Sequence, residues 1–506
     1  GGEILMGDMR RVVLLASTLG AVSCSLSRFA FTPCNTNSQC RDAFGWGHVC
    51  AEQLCQEVAP IPRCTDTFPT DLIQRIDDFQ DRIVIGIQFD KGAFGTETLA
   101  AQFAIGEVMK KNGLDSRQFA IVTCTNEESS QYDNLTQDEA NVMVSEYLAD
   151  QVGAVAIVGP ATSDRVEDAF LAVKPYGTLL MSPTATSPSL TPLDGQDASY
   201  NDPGLLWRTA PPDNLQGSEL ANVMRSDGVD TAVVIVQDGN YGTDLGVIFK
   251  AAFEQGGRQA TLLPYESAST ASLRDKIEAA EDMNVDGVLF ISSEKSHTTE
   301  FLQVVADRDG SESAGHTCAN PSSCIFADGG AGIYLADGGK DEEIFEDVDG
   351  VEDILDRIKG TAPGQELGPV YEVFADSFDA ANSSQGLADS TAYTAYAYDA
   401  AWLVIYGAAW AHYNEVAVNG LGIARGLRYI SDPGGTDVDI GPSAWNSVRA
   451  EFEAAQPINV RGASGELDYD AETGETSAPI DVWCVQTAAV GFSFGTVIDG
   501  ECTSAN

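Results

Sequence analysis

Positive charge is scarce in this chain. Its 506 residues carry 28 Lys and Arg against 76 Asp and Glu, a formal net charge of −48. A surface of that sign repels phosphate backbones and anionic lipid, which excludes nucleic acid and membrane surfaces as partners. It reads as a solvated acidic coat suited to a salty medium, with attraction of cationic ligands as the alternative. Charge is screened beyond about 8 Å at physiological salt, so distant surface carboxylates add little to a cleft. Histidine is also rare: His48, His297, His316 and His412 are all there are, and they form no Ser/His/Asp or metal-ligand pattern. No phosphate-binding loop is present. The glycines around Gly420-Leu421-Gly422 lack both a preceding strand and dinucleotide spacing. The DG and DGG turns lack the alternating acidic pattern of a calcium loop and read as turn chemistry. Catalysis, cofactors and metal are therefore not expected. Nor does any stretch reach 18 uninterrupted apolar residues, which excludes a membrane-spanning helix.

What is present points to an exported, folded protein. Hydrophobic residues make up 43% and charged residues 21%, ordinary for globular chains, and the length suits two or three domains. Met9, Arg10 and Arg11 precede a short apolar run, Val12 to Val22, that fits a signal sequence. Leu19-Gly20-Ala21-Val22-Ser23-Cys24 resembles a bacterial lipobox, which makes Cys24 the expected lipid-attachment site and residues 1–24 a leader. A periplasmic or cell-surface location follows, with the membrane reached only through the lipid. Ten further cysteines allow five bridges in an oxidising compartment. Spacing does not determine connectivity. For the tight cluster, alternation is expected: Cys34–Cys50 and Cys40–Cys55. Cys318–Cys324 and Cys484–Cys502 each bracket a small loop, leaving Cys64–Cys124. A zinc knuckle is the competing reading of the cluster, though exported thiolates are normally oxidised and only His48 lies nearby.

Residues 25–80 form a cysteine-rich preface. After it, strands and helices alternate: strand Asp81 to Asp90, helix Thr96 to Lys111, strand Phe119 to Cys124, helix Asp138 to Gln151. Pro211-Pro212 breaks the rhythm and marks a crossing between domains. A second βα series follows, from helix Gln216–Ser226 to strand Gly287–Ile291, and Lys359 to Gly364 marks another crossing. Alternation of this kind predicts parallel sheets with helices on both faces. A long helix, Thr391 to Tyr413, carries aromatic residues that read as core. From Pro457 the chain reads as short strands and turns.

The most informative stretch is AVAIVGPATSDRVEDAFLAVKPYGTLLMSPTATSPSLT, residues 154–191. Two apolar strands, Ala154–Val158 and Thr178–Met181, each end in a burst of small hydroxyl residues. Loops at the carboxyl ends of parallel strands are where ligands sit. Hydroxyls and free N–H groups at a helix start suit a carboxylate or other polar head. The competing role for Ser163, Thr184, Thr186 and Ser187 is plain helix capping.

From about Asp81 to Val485 the chain resembles the type I periplasmic binding proteins, specifically the leucine/isoleucine/valine-binding branch that serves ABC transporters. The matching runs are VGPATS, LLMSPTATSPSLT, LLWRTAPPDNLQG, VVIVQDGNYGTDLG, KGTAPG and AYAYDAAWLVIYGAA. The resemblance implies an α/β fold of two Rossmann-like lobes joined by three crossover strands, with a small disulfide-rich N-terminal segment. Lobe one would comprise residues 81–205 and 362–478, and lobe two residues 206–361 and 479–506. It implies a monomer that captures a small polar solute, such as a branched-chain or other amino acid, an amide or a carboxylate, for an ABC permease. A sensor module for a signalling partner, or an α/β hydrolase, are the alternatives. Carried over by motif, Ser163 meets the ligand carboxylate, with Thr184, Ala185 and Thr186 beside it and Phe94 and Tyr241 covering it. The family's acidic residue is expected after a strand at Cys324–Ala327. Gly stands at the aligned position there, so Asp328 is the substitute.

Overall fold

The computed structural model describes residues 33–72, 81–115, 117–195, 199–281, 283–308, 324–327, 329–365, 368–470, 473–488, 491–498 and 500–504. Cys24 and the whole leader lie outside them, as do Cys318 and Asp328.

The cysteine-rich segment is a helix, Asn37–Phe44, followed by a hairpin of β1 (His48–Ala51) and β2 (Leu54–Glu57). Among the described residues its buried apolar core is Cys34, Cys40 and Cys55, so it relies on covalent links. Cys34–Cys50 and Cys40–Cys55 are paired as alternation predicts, which removes the thiolates a zinc site would need. Asn37 Nδ2 donates to Asp150 (2.6 Å), and Arg41 donates to the Asp150 and Gln151 carbonyls, docking the segment on the first lobe.

That lobe is built on six strands: β3 (Asp66–Phe68), β4 (Ile83–Phe89), β5 (Phe119–Thr125), β6 (Ala156–Val158), β7 (Leu179–Ser182) and β8 (Leu206–Arg208). Their order is β3-β5-β4-β6-β7-β8, parallel throughout except for β3. β4 and β5 are buried at every position, as their unbroken apolar runs require of strands covered on both faces. β3 comes from the expected preface and is tied to β5 by Cys64–Cys124. β8 is hydrogen-bonded within this sheet, so the first crossing begins after Arg208, not at residue 206.

The second sheet contains β9 (Thr231–Gln237), β10 (Gln259–Tyr265), β11 (Gly287–Ile291), β12 (Gly332–Leu335) and β13 (Ile358–Pro363). A small parallel pair, β14 (Thr436–Asp439) and β15 (Ile458–Arg461), packs with the first lobe's core. The chain then returns to the second sheet as β16 (Ile480–Thr487), β17 (Phe492–Ile498) and β18 (Glu501–Ser504), giving the order β10-β9-β11-β12-β13-β16-β17-β18. Cys484–Cys502 links β16 to β18. The chain thus passes between sheets three times: after β8, after β13 and before β16.

The expected strand at Cys324–Ala327 is instead turn and bend. The strand is β12, eight residues later, where Ile333, Tyr334 and Leu335 are buried and pair with β11 and β13. Both stretches are short apolar runs, and only sheet pairing separates them.

The long helix spans Thr394–Asn414, and every residue from Thr394 to Ala411 is buried. It forms the centre of the first lobe's core with Trp402, Tyr406 and Trp445, so its aromatics are core, as expected. Among the described residues, no helix is long and apolar enough to cross a membrane.

Candidate functional site

Both sheets change winding direction at a switch point, between β4 and β6 in one lobe and between β9 and β11 in the other. The loops at those strand ends face one another, which is where an open α/β sheet offers a crevice. In the first lobe Gly159 starts the loop after β6 at φ 103°, and a Cβ there would lie 2.1 Å from the Gln88 carbonyl oxygen. Only glycine turns the chain that tightly against the neighbouring strand. The helix Ser163–Val173 follows, and Thr162 at its N-cap makes no side-chain capping bond.

The two hydroxyl-rich loops are packed together. Ser187 N donates to Ser163 Oγ (3.2 Å), Ser182 Oγ to the Pro160 carbonyl (2.8 Å), and Thr184 Oγ1 to the Ala161 carbonyl (2.5 Å). Ala185 N donates back to Ser182 Oγ at 3.3 Å. Arg208, buried at the end of β8, donates to the Ala185 (3.1 Å) and Ser187 (2.8 Å) carbonyls and pairs with Glu475. The second loop is therefore held from beneath by a guanidinium fork.

Opposite lies a buried polar cluster. Asp337, just past β12, accepts from Tyr241 Oη (2.6 Å), Tyr393 Oη (2.5 Å) and Gln216 Nε2 (2.8 Å). Burial raises its carboxyl above the ordinary range, and the three donors act to lower it. Burial and the same carboxylate push both tyrosines well upward, so they remain donors. Asp213 bridges the two halves: its N–H donates to the Thr186 carbonyl (2.9 Å), and its side chain lies within electrostatic reach of Asp337.

The lobes are latched around this cluster. Asp164 of the first lobe accepts from Asn240 N (2.7 Å), at the start of the second lobe's helix Asn240–Phe253. Ser187 Oγ donates to Asp244 (2.5 Å), and Arg165 Nη2 to Glu294 (2.8 Å). Beside the latch, a groove of about 520 Å³ opens between Asp90, Gly92 and Ala93 on one side and Glu294, Lys295 and Ser296 on the other.

Of the residues singled out in the sequence, Ser163, Thr184, Ala185 and Thr186 are brought together, and Tyr241 faces them across the interface through Asp337 and Asp213. The Thr184 hydroxyl is already engaged by a backbone carbonyl. Phe94 is half-buried and packs against the first lobe's core. Asp328 falls outside the described residues, and the acidic residue that follows the strand is Asp337. Sequence reasoning also missed Asp213, Gln216 and Tyr393. The usable signal was positional: Asp337 follows an apolar strand directly, yet its DGG context reads as an ordinary turn.

Comparison with known proteins agrees with this architecture. No curated protein matches the sequence. Among solved structures, the chain is similar to the branched-chain amino acid transporter substrate-binding protein LivJ from Streptococcus pneumoniae, in complex with isoleucine. The TM-score is 0.56 at 18% identity, covering 82% of this chain and 99% of that one. It is similar to the leucine-binding protein LivK from Thermotoga maritima, with TM-score 0.58, 16% identity, and coverage of 82% and 98%. A solute-binding protein of an ABC transporter from R. palustris, in complex with 4-hydroxybenzoate, gives TM-score 0.60 at 14% identity, with 82% and 96% covered. At these identities the likeness establishes the two-lobed fold. The model of the receptor family ligand binding region matches residues 96–487, well over half of the chain, and the chain belongs to that family.

Proposed function

We propose that this protein captures a small polar solute between its lobes and delivers it to an ABC importer. One observation carries the reading: two hydroxyl-rich loops, joined through Ser163 and Ser187, lie across a closed interface from the Tyr241–Asp337 pair. The loop side offers Ser163 and the buried Thr186 hydroxyl to a carboxylate or carbonyl, and Asp337 offers a partner to an ammonium. An amino acid, amide or carboxylate suits that division, and the solved relatives in complex with isoleucine and with 4-hydroxybenzoate support solutes of this size. Binding works by closure, because a ligand touching both lobes favours the closed arrangement by its differential contacts. The same closure could instead be read by a signalling partner, a reading that the receptor family's description favours. In either case the protein is a monomer held at the cell surface or in the periplasm through lipid on Cys24, with a permease or receptor as its partner.

The reading is of a binder, not a hydrolase. Among the described residues His297 hydrogen-bonds Tyr265 and His412 pairs with Asp115, so neither is placed as a base for a loop hydroxyl. A thermal-shift screen of amino acids, amides and small carboxylates tests it. A true ligand at 100 times its Kd adds about 2.7 kcal/mol of stability. Ser163→Ala combined with Thr186→Ala is expected to abolish that shift while leaving the fold intact by far-UV circular dichroism. A shift unchanged in the double variant overturns the site.

A further inference from the structure

The receptor family model begins at residue 96, downstream of the whole cysteine-rich preface. That preface nevertheless reaches the cleft. Its last turn, Pro62–Cys64, is bonded through Cys64 to Cys124 near the carboxyl end of β5, on the side where the loops of an open α/β sheet face the crevice. Arg63 is the side chain placed there. It is wholly buried, which a guanidinium tolerates only when its donors are paired. Nε and Nη2 form a fork onto the Asp133 carboxylate (2.8 and 2.5 Å), and Nη1 donates to the Glu127 (2.6 Å) and Thr125 (3.4 Å) carbonyls. The guanidinium also lies 5.2 Å from the centre of the Tyr132 ring. One cation therefore gathers both ends of the loop 125–133, in a planar geometry that a lysine ammonium does not reproduce.

That loop leads to the second lobe. Asp133 also accepts from Leu135 N (3.1 Å), and Thr136 then caps the helix Gln137–Glu146 through a reciprocal pair of bonds with Glu139. Gln137 opens this helix. Its side-chain oxygen accepts from Arg165 Nη2 (2.6 Å), and the same nitrogen donates to Glu294 of the second lobe (2.8 Å). The Gln137 amide nitrogen donates to Asp90, in the wall of the interlobe groove. The loop after β4 shares the support: Lys91 N donates to Thr125 Oγ1 (3.4 Å), and Asn126 N to the Phe89 carbonyl (3.2 Å). From Arg63 through Asp133, Gln137 and Arg165 to Glu294, bonds and backbone run without a gap from the preface across the cleft. Beside Arg165 sits Asp164, the acceptor for Asn240 N in the latch.

We propose that Arg63 is a positioning residue for closure: it sets the loop 125–133 and the start of the helix Gln137–Glu146, and through Gln137 it places Arg165 to meet the second lobe. The cysteine-rich preface is then part of the binding machinery, with its disulfides giving one guanidinium a rigid base. The proposal rests on the solute-capture reading for its purpose, since closure is what capture requires, but its test needs no solute.

Amide hydrogen exchange by mass spectrometry, resolved at Asn240, is compared for the unaltered full chain, Arg63→Met, Arg63→Lys and Arg41→Met. The Asn240 N–H donates to Asp164 across the interface, so its exchange reports opening of the latch. Arg63→Met should speed that exchange at least tenfold, together with residues 125–137, while the amides of β11 stay within twofold. Arg63→Lys keeps the charge and loses the fork, and should not restore protection. Arg41→Met loosens the preface where it docks on the Asp150 and Gln151 carbonyls, ahead of β6, and should leave Asn240 within twofold. Acceleration that stops at residue 135, or that β11 shares, makes Arg63 a local or global structural group and overturns the proposal. So does protection restored by lysine, or equal acceleration of Asn240 by Arg41→Met. Each of these leaves solute capture standing, whereas a thermal-shift screen without a ligand removes capture and leaves the exchange result in place. If Arg63→Met fails to fold, Asp133→Asn takes its place: faster exchange at Asn240 is expected, and unchanged exchange there overturns the proposal.

Discussion

Glu97 shows how a single side chain couples this interior to pH. It sits in the first turn of the helix Gly95–Met109, accepts from Thr391 Oγ1 at 2.5 Å through one oxygen, and has no partner on the other. Burial lifts its carboxyl from 4.5 to about 7, with Asp341 adding to the rise and Lys295 opposing it. Between those values the folded chain holds a proton that the unfolded chain has released, so stability falls as pH rises through that window. The loss attributable to Glu97 is on the order of 3 kcal/mol. Urea denaturation from pH 4.5 to 7.5 should show Glu97→Gln losing about that much less stability than the unaltered protein across the window. Parallel pH curves for the two proteins would show that Glu97 titrates normally. At this scale the sequence was only partly legible. Ser163 and Thr184–Thr186 announce themselves by composition. Asp213, Asp337 and Glu97 look like turn and helix-start residues, because what distinguishes them is burial, and burial is decided by distant chain.

Among the elements, the helix pair Thr394–Asn414 and Gly420–Leu427 depends on bare backbone. A Cβ on Gly426 would lie 2.7 Å from Trp410 Cβ and 2.8 Å from Gly407 Cα, and one on Gly407 would lie 2.6 Å from Ile423. Small residues on both helices permit that approach. Gly426→Ala should therefore cost about 1–3 kcal/mol through overpacking, despite alanine's better helix propensity. A melting temperature equal to or above that of the unaltered protein would refute the close-crossing argument. Element type was readable wherever the pattern was long: β4, β5 and the long helix lie within two or three residues of their expected bounds. β12 was misplaced because a four-residue apolar run carries no period of its own, and its identity comes from pairing with β11 and β13.

For the whole molecule, closure is the functional variable, and Gly239 is where it is most exposed to disturbance. Gly239 adopts φ 112°, and a Cβ there would lie 2.7 Å from Asp164 Oδ2 across the lobe interface. Gly239→Ala adds strain at a positive φ and also wedges the carboxylate away from Asn240 N. The variant should weaken ligand binding at least tenfold by calorimetry while each lobe keeps its fold by far-UV circular dichroism. Full affinity in the variant would mean that the latch does not contribute to the closed state.

The sequence by itself determined the alternation of strands and helices and the hydroxyl loops at strand ends, and it bounded the cysteine pairings, of which Cys34–Cys50, Cys40–Cys55, Cys64–Cys124 and Cys484–Cys502 are formed as expected. Those depend on local periodicity, turn chemistry and the small number of partners a cysteine has. Only the tertiary structure decided which carboxylates converge. Asp213, Asp337, Tyr241 and Tyr393 come from four separate stretches of chain, and no local pattern records that folding removes all four from water at one place.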